Sequence, residues 1–189
     1  MRAKSTNKVR QLFGRFFMKE IGELYERYGK RLYNYFYYLT GDKHRADELT
    51  QETFFQAVLS VSRFRGDSRL STWLFGIGRN VFLKDMRNSG AWPAYIEDEA
   101  LERIAADGPG PEETAVLNET LFTMGRVLRR MSERQAAALL LRDKEGFSYA
   151  EIARITGDSL AAVKVTVHRA RKKFREEFER MESGNEKRR

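Results

Sequence analysis

The chain has few of the residues that build reactive sites. It contains no cysteine and only two histidines in 189 residues. The absence of cysteine excludes disulfides, thiolate metal sites and thiol nucleophiles, and it permits a reducing compartment. The histidines, His44 and His168, lie far apart among charged residues. We therefore predict no metal site and no cofactor.

Long apolar runs are missing as well. The longest unbroken apolar stretch is Ala136–Leu141, far short of the roughly 20 residues that cross a bilayer. The basic amino-terminal segment lacks the apolar core and the small-residue cleavage site of a secretory signal. We expect no stable membrane insertion and a cytoplasmic location.

The chain also lacks the phosphate-binding pattern GxxxxGK[ST] and the metalloprotease pattern HExxH. The stretch GIG at residues 76–78 has neither the third glycine nor the preceding strand of a dinucleotide-binding turn. We expect no catalytic residues, so the protein is not predicted to be an enzyme.

Charge is abundant and unevenly placed. The formal net charge of +8 suits a polyanionic partner, such as nucleic acid or an acidic membrane surface. Residues 1–19 carry cations and no acid, whereas residues 91–120 hold eight acids against one cation, Arg103. Prolines, glycines and acids make residues 91–113 a predicted flexible linker. The length suits two small domains, one on each side of it.

Apolar residues recur at spacings of three and four along most of the chain, which predicts an all-α fold. Before the linker we expect three helices. Gly41 ends the first, Asp42 caps the second, and Ser71 is the expected N-cap of the third.

The segment after the linker predicts a helix-turn-helix. Helical pattern resumes over Thr114–Met131, and two capping boxes then mark helix starts: Ser132 with Gln135, and Ser148 with Glu151. The second box opens a short helix over Tyr149–Ile155. Gly157 provides a tight turn, because glycine tolerates positive φ, and Ser159 caps a longer helix. In the helix-turn-helix layout this second helix enters the major groove of DNA.

That last helix has two different faces. One face is apolar and is expected to pack: Leu160, Val163, Val167, Ala170 and Phe174. The other is cationic: Lys164, His168, Arg171, Lys172 and Arg175. A solvated basic face is the alternative interpretation. The turn glycine and the capping boxes favour DNA binding.

Three stretches resemble one family. AEIARITGDSLAAVKVTVHRARKKF resembles region four of the bacterial extracytoplasmic-function sigma factors, while RADELTQETFFQAV and RFRGDSRLSTWLFGIGRN resemble their region two. The resemblance covers roughly residues 18–178, in the family's order. It implies a region-two-like domain at 18–90 and a region-four-like domain at 114–182, flanked by basic ends at 1–17 and 183–189.

The resemblance implies a subunit that binds core RNA polymerase and promoter DNA, with an anti-sigma factor as a further possible partner. Residues implied to contact polymerase are Asp47, Glu48, Gln51 and Glu52. Those implied at the minus-ten element are Phe64, Arg65, Asp67 and Asn80, with Lys84 and Arg87 as phosphate contacts or ordinary surface cations. Those implied at the minus-thirty-five element are Lys164, Val165, His168 and Arg169, with Arg171 and Lys172 for phosphates.

Several alternatives stay open at this point. A stand-alone helix-turn-helix regulator would bind duplex DNA without polymerase, and a basic interaction protein would bind RNA or membrane without sequence preference. Trp73 is interpreted as a core residue in preference to a wedge that melts DNA. Residues 1–17 can form a basic amphipathic helix that packs or binds a polyanion, or they are a tail without a role.

Overall fold

The computed structural model describes residues 3–61, 64, 66–89 and 123–186, with the side chains of residues 22–181 and 183 within those ranges. The helices are α1 (Ala3–Thr40), α2 (Lys43–Ser60), α3 (Leu70–Ser89), α4 (residues 123–129), α5 (Glu133–Leu139), α6 (Tyr149–Thr156) and α7 (Leu160–Glu186). A π-helical turn, Leu140–Lys144, continues α5 directly. The described residues contain no strand, which confirms the all-α prediction. The predicted linker at 91–113 lies outside them.

Helices α1 to α3 pack together as the first domain. Gly41 ends α1 with a left-handed φ of 72°, as predicted. The Asp42 carboxylate then caps α2 by accepting hydrogen bonds from the backbone N–H of His44 and Arg45, at 2.8 and 3.0 Å. Phe36 of α1 and Phe82 of α3 are fully buried, with their ring centroids 6.3 Å apart. The local signals therefore end α1 and begin α2 where the sequence predicts.

The predicted N-cap of α3 is wrong. The helix begins at Leu70, and the carbonyl of Arg69 accepts the first bond of the helix from Trp73 N at 3.1 Å. Ser71 consequently lies inside the first turn. Leu70 packs against the core, and this tertiary contact draws the chain into the helix before the serine.

Both predicted capping boxes are present in the second domain. Ser148 N donates to the Glu151 carboxylate at 2.9 Å, and Glu151 N donates back to the Ser148 hydroxyl at 3.2 Å. Gly157 follows α6 with φ 74°, and the Ser159 hydroxyl accepts from Ala162 N at 3.2 Å to cap α7. The helix-turn-helix therefore forms as predicted.

The two domains pack against each other in one continuous core. Helix α6 lies against α3, and the rings of Phe75 and Phe147 meet edge to face with their centroids 5.0 Å apart. The first helix of the helix-turn-helix thus packs directly on the first domain. None of the helices in the described part of the chain is long and apolar enough to cross a membrane.

Candidate polymerase and nucleic-acid interfaces

The four residues implied to contact polymerase share one side of α2. Glu48, Gln51 and Glu52 are exposed and Asp47 is half-buried. The Gln51 side-chain amide donates to Asp47 at 2.7 Å, and Gln51 and Glu52 lie one helical turn beyond Asp47 and Glu48. The structure therefore brings the four into one acidic and polar surface.

Two large apolar residues extend this surface, and sequence analysis did not single them out. Phe55 and Leu59 are 55% and 59% exposed, one and two turns beyond Gln51. Both fall off the buried stripe of α2, which contains Ala46, Leu49, Thr53 and Ala57. Their position off this stripe is the signal in the sequence that could have identified them. Large exposed apolar residues beside polar ones are typical of interaction surfaces.

A groove of ≈ 490 Å³ runs between α2 and α3. Its lining includes Glu48 and Glu52 from α2, and Asn80 and Lys84 from α3. The groove is thus lined both by residues implied to contact polymerase and by residues implied to contact the minus-ten element. Asn80 and Lys84 are exposed, so the amide and the ammonium group are accessible from solvent.

The loop between α2 and α3 carries the other minus-ten residues. Phe64 is half-buried against Trp73, with the ring centroids 5.1 Å apart, and Asp67 is exposed. Arg65 lies outside the described residues. Trp73 is half-buried and packs against the core, in agreement with its predicted packing role. Arg87 is exposed near the far end of α3.

Helix α3 uses a different side for the second domain. Thr72, Phe75 and Arg79 recur at helical spacing, and all three are buried. The Arg79 guanidinium binds both oxygens of Glu133, the first residue of α5. Burial is the largest single influence and would lower the pKa of Arg79, but the hydrogen bonds and electrostatic interactions with Glu133 and Tyr35 together outweigh it and raise that pKa. Sequence analysis missed this arginine because its partner is distant in the chain.

The cationic face of α7 is exposed as predicted. All five of its predicted residues are exposed: Lys164, His168, Arg171, Lys172 and Arg175. Val165 and Arg169, also implied at the minus-thirty-five element, are exposed as well. On the opposite face Val163, Val167 and Ala170 are buried. Leu160 was predicted to pack there and is instead 45% exposed, because it is the first residue of α7 and lies before the buried stripe begins.

Two of the cations implied to contact phosphate differ in their surroundings. Arg171 donates to Asp143 of the π-helical turn, with its Nε at 2.9 Å, and these hydrogen bonds raise its pKa. Within the described part of the chain, Lys172 makes only a long ion pair to Glu176, at 3.9 Å. Arg171 is therefore held in one orientation, while the Lys172 ammonium is less constrained. Within the described residues no group of three or more His, Cys, Asp or Glu side chains could hold a metal ion.

Comparison with known families gives two matches in chain order. Residues 24–91 match Sigma-70 region 2 and residues 121–174 match Sigma-70, region 4. The first match contains α2, α3 and the groove between them. The second contains the helix-turn-helix. Each match thus falls on one of the two domains.

Three proteins similar to this chain are named RNA polymerase sigma factors. The chain is 31% identical over 153 residues to the RNA polymerase sigma factor YlaC of Bacillus subtilis, spanning 80% of this chain and 87% of that protein. It is 35% identical over 136 residues to the ECF RNA polymerase sigma factor EcfG of Rhodopseudomonas palustris, spanning 72% of each. It is 32% identical to SigE of Mycolicibacterium smegmatis over 82% of this chain, but the match spans only 60% of that relative.

A solved structure shares the architecture. The sigma factor RpoE from Bartonella quintana, crystallised with the anti-sigma factor NepR, superposes with a TM-score of 0.69 and 26% identity. The superposition covers 85% of this chain and 98% of that one, so it extends over both domains.

Proposed function

Because the chain belongs to the ECF RNA polymerase sigma factors, we propose that it binds core RNA polymerase and directs promoter-specific initiation of transcription. One observation supports this most directly. A single chain carries a polar groove beside a helix with exposed apolar residues, and also a helix-turn-helix with an exposed cationic face. A simple duplex-binding regulator needs only the second of these.

The surface on α2 is the proposed contact with polymerase. Glu48, Gln51 and Glu52 offer hydrogen-bond acceptors and charge. Phe55 and Leu59 offer apolar surface, whose removal from water on binding is favourable. Interfaces commonly combine an apolar centre with a polar rim. This arrangement fits a helical partner laid along α2.

The loop after α2 and the start of α3 are the proposed minus-ten site. A base extruded from the duplex loses stacking, and an aromatic ring with nearby hydrogen-bonding groups compensates for that loss. Phe64, whose ring is tilted by 42° against that of Trp73, supplies aromatic surface, and Asp67 and Asn80 supply hydrogen-bonding groups. Lys84 is positioned along the groove for the phosphate backbone. The role of Arg65 follows from the resemblance alone.

Helix α7 is the proposed reader of the minus-thirty-five duplex. Arg169 can donate two hydrogen bonds to a guanine edge, and Val165 can contact a thymine methyl group. Lys172 suits a phosphate, since its ammonium group is little constrained. The α6–Gly157–α7 arrangement is the scaffold that presents these side chains to the major groove.

The proposal assigns no catalytic residue to this chain, and the chemistry of RNA synthesis belongs to the polymerase. It places the protein in the cytoplasm because polymerase and promoter are there. An anti-sigma factor is a further proposed partner, since the RpoE structure contains one bound to a sigma factor of the same architecture.

Transcription in vitro with core polymerase on a promoter library tests the proposal. We expect defined start sites only when both core and this protein are present, and footprints over both elements that require core. A sharp footprint from the protein alone, without core-dependent initiation, would favour the stand-alone regulator. Binding to RNA or vesicles without sequence preference would favour the basic interaction protein.

A further inference from the structure

Helix α1 is about twice as long as the helices that it packs against in the first domain. It has 38 residues, whereas α2 has 18 and α3 has 20. The rings of Tyr25 and Phe54 have their centroids 4.9 Å apart, and α2 ends at Ser60, less than two turns beyond Phe54. Because α1 and α2 run antiparallel with the same rise per residue, α2 ends beside about residue 19 of α1.

Helix α3 begins at a similar level of α1. Gly78 lies against Leu32, since a Cβ atom there would come within 3.2 Å of that side chain. The ring contact of Phe36 with Phe82 lies further along both helices, so α1 and α3 run in the same direction. Because α3 begins about two turns before Gly78, its start lies beside about residue 24 of α1.

The first part of α1 therefore projects from the first domain. Residues 3–19, named the α1 extension, reach about 25 Å beyond the level at which α2 ends and α3 begins. At the base of the extension, no atom of the described residues would lie within 4 Å of a Cβ at Gly22, and Glu23 is exposed. The helix thus leaves the packed part of the domain at this point.

The α1 extension carries positive charge only. It contains five cations and no acid. Four of the cations recur at spacings of four and seven, which places them on one stripe of the helix: Lys4, Lys8, Arg15 and Lys19. Such a stripe is complementary in charge to an anionic surface.

A second stripe of the α1 extension is apolar and largely aromatic. Five residues recur on it at spacings of three and four: Val9, Leu12, Phe13, Phe16 and Phe17. Residues four apart continue this stripe from Phe17 through Ile21 to Tyr25. Tyr25 is 49% exposed in spite of its contact with Phe54. The apolar stripe therefore leads to an aromatic side chain that is open to solvent.

An anionic lipid surface satisfies both stripes at once. In such an interface, apolar side chains enter the boundary between headgroups and acyl chains, while Lys and Arg remain at the headgroups. A nucleic acid would satisfy the cations through its phosphates, but it would leave a stripe with three phenylalanines in water. A second copy of this chain would cover the apolar stripe, but it would bring two cationic stripes together. The combination of charge and apolar residues therefore favours lipid.

We propose that the α1 extension lies along the surface of an anionic phospholipid bilayer and holds the free chain there. A helix of about 25 Å with five cations lies in the interface and does not cross the hydrocarbon core, which is about 30 Å thick. The α1 extension is separate from α2, the α2–α3 loop and α7, which are assigned to polymerase and promoter. This inference therefore goes beyond the proposed function and does not depend on it.

Flotation of the purified full chain with lipid vesicles tests the inference. We expect binding to vesicles of equal parts phosphatidylglycerol and phosphatidylcholine. Binding to phosphatidylcholine alone should be more than about tenfold weaker, because several cations lose their attraction to anionic headgroups. Deletion of residues 2–17 should remove most of the binding to the mixed vesicles, since it removes the apolar stripe and most of the cations.

Two double variants separate the contributions of the two stripes. Phe13→Gln with Phe16→Gln keeps every charge and should weaken binding to the mixed vesicles by more than about tenfold, because the helix loses apolar area that enters the bilayer. Lys8→Gln with Arg15→Gln keeps the apolar stripe and should make the remaining binding less sensitive to salt.

Arg27→Gln with Lys30→Gln is the matched control for charge. Both residues are exposed on α1 within the first domain, so the variant loses the same charge outside the α1 extension. It should bind the mixed vesicles like the wild type. Circular dichroism checks that each variant keeps normal helicity, and the deletion provides the same measurement if a double variant folds poorly.

Three results would overturn the inference. The first is equal flotation of the wild type, the deletion and the phenylalanine variant. The second is a deletion that weakens binding to a DNA duplex of random sequence but not to vesicles, which would assign the extension to nucleic acid. The third is a deletion that lowers the melting temperature of the free protein and leaves vesicle binding unchanged, which would assign it to packing. Transcription in vitro without lipid measures the proposed function separately.

Discussion

Gly78 of α3 lies directly against Phe36 of α1. A Cβ atom at Gly78 would come within 3.1 Å of the Phe36 ring and 3.2 Å of Leu32, and both of those side chains are fully buried. Neither neighbour has free space into which to move, because protein interiors are close-packed. The glycine is therefore a packing requirement, which explains a GIG stretch that has no dinucleotide-binding context.

Gly78→Ala should lower the melting temperature. Overpacking a core costs about 1–3 kcal/mol, which exceeds the gain of at most about 1 kcal/mol from alanine in a helix. Gly76→Ala is the matched control, since the residue is in the same helix and none of the atoms that the structure describes would lie within 4 Å of its Cβ. That control should raise the melting temperature slightly. Thermal unfolding followed by circular dichroism compares them, and equal shifts in the two variants would contradict the packing requirement.

Gly157→Ala should destabilise the helix-turn-helix through backbone conformation alone. The residue has φ 74°, and no atom of the described residues lies within 4 Å of the position that a Cβ would take, so the change introduces no clash there. The left-handed conformation costs an ordinary residue about 1–2 kcal/mol. Gly157→Asn should cost less, because asparagine tolerates this region. Melting curves that rank alanine no lower than asparagine would count against this explanation.

Gln51→Ala combined with Glu52→Arg should weaken the binding of core polymerase without loss of helicity. Both side chains are exposed, and their hydrogen bonds link residues of α2 only to each other. Glu179→Arg, an exposed charge reversal on α7, serves as the control and should bind core normally. Affinity is measured by titrating labelled protein with core. Unchanged affinity of the α2 variant would remove these residues from the proposed surface.

Arg169→Ala should reduce transcription mainly at promoters with an intact minus-thirty-five element. One lost base-edge contact is worth about 1–3 kcal/mol of discrimination. Lys172→Ala should instead weaken binding on all sequences and reduce its salt dependence, as expected for a phosphate contact. Initiation is compared on matched and scrambled elements at two salt concentrations. An equal loss on scrambled elements would reassign Arg169 to phosphate.

Acidification should weaken the start of α6 through Glu151. The hydrogen bond from the backbone of Ser148 is the largest cause that lowers the pKa of Glu151 below its ordinary value of 4.5. A lowered pKa in the folded state means that the stabilisation is complete above pH 4.5 and is lost as the pH falls below it. Glu177, whose pKa is lowered by Lys173, contributes with the same sign. Stability measured against pH should therefore fall less steeply below pH 4.5 in Glu151→Gln than in the wild type, and identical slopes would refute the assignment.

The sequence by itself determined the features that depend on residues close together in the chain. The Asp42 cap, the two capping boxes and the Gly157 turn are each formed by residues within a few positions of one another. Residue types and spacings in the sequence were therefore sufficient to predict them. The cationic face of α7 follows from helical spacing in the same way. These local signals, with the family resemblance, were sufficient for the all-α fold and the helix-turn-helix.

Only the tertiary structure decided which residues meet across long separations. It moved the start of α3 ahead of Ser71, exposed Leu160, and left Phe55 and Leu59 open to solvent. It also paired Arg79 with Glu133, two ordinary surface residue types whose burial depends on how two separate domains pack. A charged residue in a sequence carries no sign of a distant partner, because the pair becomes favourable only after both side chains leave water together.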